Sequence, residues 1–146
     1  MADPIVVMTI GYQGKNISEF LDVLERSCID IVIDVRSRPL SRKHDFSKRR
    51  LTEHLDSRGI GYRHMPELGM PVNLLDKRCE KTGNAEILNI YRSQMAERIE
   101  PLAGLETSAR SVTICLLCFE ANPYHCHRSV VAEALAQQGK LGILHL

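Results

Sequence analysis

Long apolar runs are missing from this sequence, and so is a recognisable secretory leader. No stretch approaches the ~20 consecutive apolar residues that span a bilayer, so we expect no contact with a membrane. The first residues, Met1-Ala-Asp-Pro4, lack the basic region and apolar core of a signal peptide. We therefore expect a cytoplasmic protein.

A disulfide framework is also missing. The 5 cysteines are odd in number and scattered along the chain, whereas a small domain held by disulfides carries an even number at regular spacing. Free thiols fit a reducing compartment. A chain of this length buries roughly 68–70% of its unfolded surface without staples. We therefore expect a single domain over residues 1–146.

The chain has almost no net charge, because its formal value is only +1. The charges are unevenly placed, however, since seven Lys or Arg residues and one acid lie between Arg36 and Arg50. Such a local basic patch suggests an anionic partner, for instance the phosphates of a nucleic acid, although a solvated loop and helix face is the favoured explanation of this stretch. Phe46 is the single aromatic residue within the patch, which argues against recognition of single strands by base stacking.

Apolar runs alternate with helix-like segments through most of the chain. The run Ile29-Asp-Ile-Val-Ile-Asp-Val35 is apolar on both faces, which is typical of a parallel strand covered on both sides. Spaced apolar residues predict a helix over 85–99, and residues 67–84 are expected to be irregular. The expected strands span residues 5–10, 29–35, 60–65, 111–118 and 141–146. Together they predict an α/β fold, a single three-layer, Rossmann-like sandwich with a mostly parallel sheet of about five strands.

The functional site is expected at the carboxyl edge of this sheet. With a strand order of 3-2-1-4-5, the first and fourth strands are neighbours at the switch point, and their exit loops face each other across a crevice. Those loops begin at Gly11 and Cys118, and the loop after Asp34 lies beside them. The turn Gly11-Tyr-Gln-Gly14 lacks the third glycine of the dinucleotide fingerprint and the Walker lysine, so it is a weak sign of a phosphate loop.

The richest chemistry lies in Cys118-Phe-Glu-Ala-Asn-Pro-Tyr-His-Cys-His-Arg-Ser129, which holds two thiols, two imidazoles, a carboxylate and a guanidinium. Its end is the expected start of a helix, where free N–H groups attract anions. The guanidinium of Arg128 can bind a phosphate or carboxylate through two hydrogen bonds. The alternative is that Arg128 holds the loop in place. The expected ligand-binding residues are Gly11, Tyr12, Arg36, Arg42, His127, Arg128 and Ser129.

Four residues are candidates for catalysis. Cys118 lies where a strand meets a loop, and Cys126 lies near a helix start; both settings lower a thiol pKa. Their separations from Arg128, ten and two residues, differ from the six of phosphatase-like and rhodanese-like loops, so we exclude thiol phosphatase chemistry. Asp34 and Glu120 are candidate acids or bases, or else they accept hydrogen bonds from their own loops.

We expect no metal site and can name no cofactor. Cys115 and Cys118 point to opposite faces of a strand, so the pair cannot chelate one ion. Cys118, His125, Cys126 and His127 offer the sulfur and nitrogen ligands that Zn²⁺ takes. They are so closely spaced that one ion is not expected to accept all of them.

Short motifs along most of the chain are together specific. They are Thr9-Ile-Gly-Tyr12, Val32-Ile-Asp-Val-Arg36, Pro39, Ser41-Arg42, Phe46-Ser47, Gly61-Tyr-Arg-His64, Pro66-Glu-Leu-Gly69, Leu117-Cys-Phe-Glu120 and Cys126-His-Arg128. On these motifs the chain resembles the bacterial and archaeal family called domain of unknown function 488. The resemblance implies a compact α/β domain with a shared cleft built from these motifs, and it supplies no reaction.

Two functions remain open. In the first, an anion-binding cleft at the carboxyl edge belongs to an enzyme that acts on a phosphorylated small molecule, a nucleotide or a nucleic-acid end. In the second, the cleft binds an anionic ligand or a nucleic acid without catalysis. The combination of thiol, imidazole and carboxylate favours the enzyme.

Overall fold

The computed structural model describes residues 5–69, 84–95 and 97–146. One sheet contains β1 (Val6–Gly11), β2 (Ile31–Asp34), β3 (Gly61–His64), β4 (Ile114–Cys118) and β5 (Gly142–His145). The helices of these ranges are α1 (Ile17–Arg26), α2 (Lys48–Ser57), α3 (Asn84–Met95), α4 (Ile99–Ser111) and α5 (His127–Gly139). All paired strands are parallel. The predicted α/β sandwich with a parallel sheet of five strands is therefore confirmed.

The strand order is β3-β2-β4-β1-β5, so the predicted order 3-2-1-4-5 is wrong. The predicted neighbourhood of the first and fourth strands is confirmed, because Gly11 pairs with Cys118. On its other side β4 pairs with β2, where Asp34 lies opposite Leu117. All five residues of β4 are buried, which fits the central position in the sheet. The exits of β1 and β2 therefore flank the exit of β4 on both sides.

Alternate residues of β4 pack into different layers. Ile114, Leu116 and Cys118 belong to the core beneath α3, α4 and α5. Cys115 and Leu117 belong to the core beneath α1 and α2. Cys115 and Cys118 thus lie on opposite faces of the sheet, as the period of a strand predicts.

The predicted helix over 85–99 is confirmed as α3, but it ends at Met95, and a turn at 97–98 leads into α4, which was not predicted. Pro101 lies in the first turn of α4, where its missing N–H is not needed. Most of the segment 67–84 that was expected to be irregular lies outside the described residues, and Pro66–Leu68 forms a short 3₁₀ turn. No helix within the described ranges is long and apolar enough to cross a membrane.

The main chains that leave β1 and β4 touch each other. Tyr12 N donates to Cys118 O at 3.3 Å, and Gln13 N donates to Phe119 O at 2.9 Å. A Cβ atom on Gly11 would lie 1.8 Å from the carbonyl oxygen of Glu120. The close approach of the two loops therefore requires glycine at position 11.

Substituting Gly11→Ala should lower the free energy of unfolding by about 1–3 kcal/mol, because the obstructing atom belongs to the backbone and a main chain must shift. The matched control is Gly104→Ala in α4, where an added Cβ has no atom within 4 Å. That change should stabilise the helix by up to about 1 kcal/mol. Urea unfolding followed by circular dichroism measures both, and equal stability of the two variants would contradict the packing argument.

Candidate functional site

The loops after β1, β2 and β4 enclose a cleft of about 540 Å³ at the carboxyl edge of the sheet. Six predicted site residues line this cleft: Tyr12, Arg36, Arg42, Cys118, Glu120 and His127. The other predicted residues, Gly11, Asp34, Cys126, Arg128 and Ser129, are not on its lining. The cleft also contains residues that the sequence did not single out, namely Ser37, Arg38, Leu40, Ser41, Lys43 and Phe119.

A buried ion pair between Asp34 and Arg36 stands behind the cleft. Asp34 is fully buried, and its Oδ1 accepts from the Arg36 backbone N at 3.1 Å and from Nε at 2.8 Å. Its Oδ2 accepts from Arg36 Nη2 at 2.7 Å and from the Tyr62 hydroxyl at 2.6 Å. Four donors thus saturate the carboxylate, which favours the loop-bracing interpretation of Asp34 over a role as a general base.

The remaining donors of Arg36 hold two further loops. Nη1 donates to Phe46 O at 2.8 Å and to the Tyr12 hydroxyl at 3.3 Å. Burial alone would lower the pKa of Arg36, but the hydrogen bonds and charge of Asp34 outweigh it and raise the pKa. Burial and the Asp34 charge also raise the pKa of Tyr62, so its hydroxyl remains a donor. The guanidinium of Arg36 is permanently charged, and its donors bind Asp34, Phe46 and Tyr12 rather than a ligand.

Substituting Asp34→Asn should cost about 3–5 kcal/mol of folding free energy, because it leaves the Arg36 charge buried without its partner. The matched control is Asp22→Asn, which breaks an exposed pair with Arg58 at 3.3 Å and should cost at most about 1 kcal/mol. Chemical denaturation of both variants measures the difference. A loss for Asp34→Asn no larger than that of the control would show that the pair does not hold the loops.

Tyr12 positions Phe119, an exposed aromatic side chain of the cleft. Its ring stacks on Phe46 with centroids 4.5 Å apart and meets Phe119 edge-on at 5.3 Å. Tyr12 itself is buried, whereas Phe119 is 42% exposed. Phe119 is therefore the aromatic ring that the cleft offers to a ligand, and a single exposed residue beyond a strand end gave no periodic signal in the sequence.

Arg128 is fully buried and holds the loop after β4. Nε donates to Thr9 Oγ1 at 3.2 Å and Nη2 to Ala121 O at 3.3 Å, while Nη1 donates to the carbonyl of Glu120. Ser129 Oγ donates to Cys126 O at 2.8 Å. This geometry favours the bracing alternative for Arg128, and Ser129 lies in the first turn of α5 with its hydroxyl bonded to the residue before the helix.

Two arginines of the cleft have no partner among the described residues. Arg38 and Arg42 are exposed on its lining, and neither forms a hydrogen bond or an ion pair with any residue in the described part of the chain. Lys43, in contrast, donates to Lys15 O at 2.6 Å and to Tyr12 O at 3.4 Å. Arg38 and Arg42 are thus the guanidinium groups that a ligand can reach.

A thiol and imidazole group forms the inner wall of the cleft. Cys118 Sγ lies 3.5 Å from His127 Nδ1, and His127 Nε2 lies 2.8 Å from Val35 O. The hydrogen bond to Cys126, together with burial, raises the pKa of Cys118, in contrast to the lowering expected from its place at a strand end. Burial alone would raise the pKa of Cys126, but the interactions with the neighbouring Cys118 thiol and His127 imidazole outweigh it and lower the pKa. Cys118 and His127 line the cleft, and Cys126 is wholly buried.

Comparison with known proteins identifies a family. A family model described as "Domain of unknown function DUF488" matches residues 16–135, a range that includes the basic loop and the Cys-His-Arg segment. No curated protein and no solved structure matches the chain.

Proposed function

The chain belongs to the family described as domain of unknown function DUF488, and we propose that its cleft binds a ligand in which a phosphate group adjoins a planar or apolar group. A nucleotide and a nucleic-acid end both have this chemistry. The observation that carries the proposal is the pair of guanidinium groups at the cleft, those of Arg38 and Arg42, that have no partner within the described ranges.

The charge of the lining supports an anionic ligand. Arg36, Arg38, Arg42 and Lys43 line the cleft, and Glu120 is the one acid among its lining residues. Arg36 and Lys43 are occupied by internal hydrogen bonds, so the available charge comes from the other two arginines. Guanidinium forks bind phosphate through two parallel hydrogen bonds, which adds geometric selectivity to the charge.

The apolar part of the lining supports a group attached to the phosphate. Leu40 is 75% exposed and Phe119 is 42% exposed, and both line the cleft. Stacking of a base on an aromatic ring is worth about 1–3 kcal/mol. A volume of about 540 Å³ lies within the range that small-molecule sites occupy. A nucleotide satisfies both the basic and the apolar parts of this lining.

A neighbouring groove of about 610 Å³, lined by Lys15, Glu19, Lys43 and Asp45 among others, is less suited to an anion. Its acids and bases are mixed. Glu19 is hydrogen bonded to the Asn16 side chain that caps α1, and Lys43 donates to loop carbonyls. The cleft whose two arginines have no partner in the described part of the chain is therefore the better candidate.

Catalysis at the cleft stays a prediction. Among the carboxylates predicted for acid or base chemistry, Glu120 lines the cleft, whereas Asp34 is saturated behind it. Of the two predicted nucleophiles, Cys118 lines the cleft and Cys126 does not. An enzyme built on this cleft would therefore use Glu120, Cys118 or His127 at the ligand.

Substituting Arg38→Ala or Arg42→Ala should weaken binding of a mononucleotide by about tenfold or more, since hydrogen bonds to charged groups contribute about 1.5–3 kcal/mol. Titration calorimetry of wild type with inorganic phosphate, adenosine monophosphate and short single- and double-stranded oligonucleotides identifies the ligand class. The matched control is Arg49→Ala, which removes the same side chain from an exposed position outside the cleft.

The experiment distinguishes the two sources of phosphate. For a mononucleotide, the affinity should be unchanged in Arg49→Ala, should fall in Phe119→Ala and should vary little with salt. For a nucleic acid, Arg49→Ala should also weaken binding, and the affinity should fall steeply with salt concentration. The proposal is overturned if no phosphate-bearing ligand binds wild type, or if the two cleft variants bind as tightly as wild type.

A further inference from the structure

Three potential metal ligands converge at the inner wall of the cleft. The ligand atoms of Cys118, Cys126 and His127 all lie within 4.8 Å of one another. They come from two adjoining points of the fold, because Cys118 ends β4 while Cys126 and His127 begin α5. All three side chains are buried, with exposures of 6%, 0% and 4%. Packed secondary structure therefore holds the three groups together, without dependence on a mobile surface loop.

The imidazole of His127 has the outer hydrogen bond of a metal-bound histidine. Its Nε2 lies 2.8 Å from the carbonyl oxygen of Val35, and since a carbonyl only accepts, Nε2 carries the proton and Nδ1 has the lone pair. Cys118 Sγ lies 3.5 Å from Nδ1 and 3.8 Å from Nε2, so the ring or the thiol must turn for the Nδ1 lone pair to meet an ion shared with this sulfur. The ring of Tyr91 packs edge-on against the imidazole at 5.5 Å. A hydrogen bond from the second ring nitrogen to a carbonyl is the usual outer support of a metal-bound histidine.

The spacing of Cys118 and His127 matches a tetrahedral ion, and the ligand atoms of all three residues lie within 4.8 Å of one another. Zinc takes sulfur at about 2.3 Å and nitrogen at about 2.0–2.1 Å, so two such ligands at the tetrahedral angle lie about 3.6 Å apart. The observed distance between Cys118 Sγ and His127 Nδ1 is 3.5 Å. Two thiolates also neutralise a divalent cation, which reduces the cost of burying its charge. Thiolate and imidazole ligands select Zn²⁺ over Mg²⁺ or Ca²⁺.

We propose that Cys118, Cys126 and His127 bind a zinc ion whose fourth position opens toward the cleft. Four closely spaced residues, with His125 among them, are too crowded for one ion. Three ligands from β4 and the start of α5 avoid this crowding. Structural zinc sites are closed by four protein ligands, and sites with three protein ligands keep a position for water or substrate. Cys118 and His127 line the cleft, so the open position faces the space assigned to the phosphate-bearing ligand.

The test is a cobalt titration of the reduced, metal-stripped full chain in a phosphate-free buffer. Wild type should bind one equivalent of Co²⁺, with a thiolate-to-cobalt charge-transfer band and the visible bands of a tetrahedral ion, and Zn²⁺ should displace it. Binding should release protons, because the ligating thiols must ionise. X-ray absorption of the zinc form should count two sulfur ligands and one imidazole from the protein.

Variants separate this site from binding elsewhere. Cys126→Ser and His127→Gln should weaken cobalt binding by more than about 100-fold, because loss of an outer partner alone costs about 10–100-fold. Cys28→Ser, which removes an exposed thiol, should bind as wild type does. Circular dichroism checks that the variants fold, and the wild-type spectrum tests the site even if they do not.

The metal proposal is overturned if wild type shows no thiolate-to-cobalt band, or if a folded Cys126→Ser retains it unchanged. These measurements contain no phosphate-bearing ligand, so they are independent of the binding proposal. A chain that binds cobalt but no nucleotide would retain the metal site alone, and the reverse result would retain the ligand site alone.

Discussion

The buried pair of Asp34 and Arg36 is the interaction on which the cleft depends. Two charges are removed from water at the end of β2, a step that costs several kcal/mol per ion unless the partners are well matched. Here both carboxylate oxygens are saturated, and the same guanidinium reaches Phe46 and Tyr12. One ion pair thus ties β2 to β3, to the basic loop and to the exit of β1.

Arg128 holds the loops in place on the other side of β4. It is fully buried and directs its donors to Thr9 and to the carbonyls of the loop that contains Glu120 and Ala121. The two buried arginines therefore fix the loops, while Arg38 and Arg42 remain at the cleft without partners among the described residues. The division between arginines that build the site and arginines that can bind a ligand follows from burial.

Apolar patterning was sufficient to predict the fold class and the edge of the sheet at which the cleft lies. Runs such as Ile29–Val35 identify buried parallel strands, and exit loops of parallel strands must meet at one edge. Strand order was not predictable from local patterns, because it depends on which strands pair with each other across the sheet. Only the complete burial of β4 indicates its central place. The helix α4 was missed because Pro101 and Gly104 are poor helix formers, although its buried residues Leu102, Leu105 and Ala109 recur at helical spacing.

The roles of the site residues were harder to predict than their location. Arg36 and Arg38 are two residues apart and identical in type, yet one is 5% exposed and paired, whereas the other is exposed and unpaired within the described ranges. Sequence alone does not distinguish them, since the partner of Arg36 is set by the turn after β2 and by contacts with distant residues. The family match covers residues 16–135 and leaves the chemistry of the cleft to be measured.

The most direct test of the claim that the cleft binds a phosphate-bearing ligand is a titration of isotope-labelled protein with adenosine monophosphate, followed by amide chemical shifts. Our account predicts the largest shifts at Arg38 and in residues 40–43 and 118–120, whereas shifts confined to the groove at 14–19, or none at all, would contradict it.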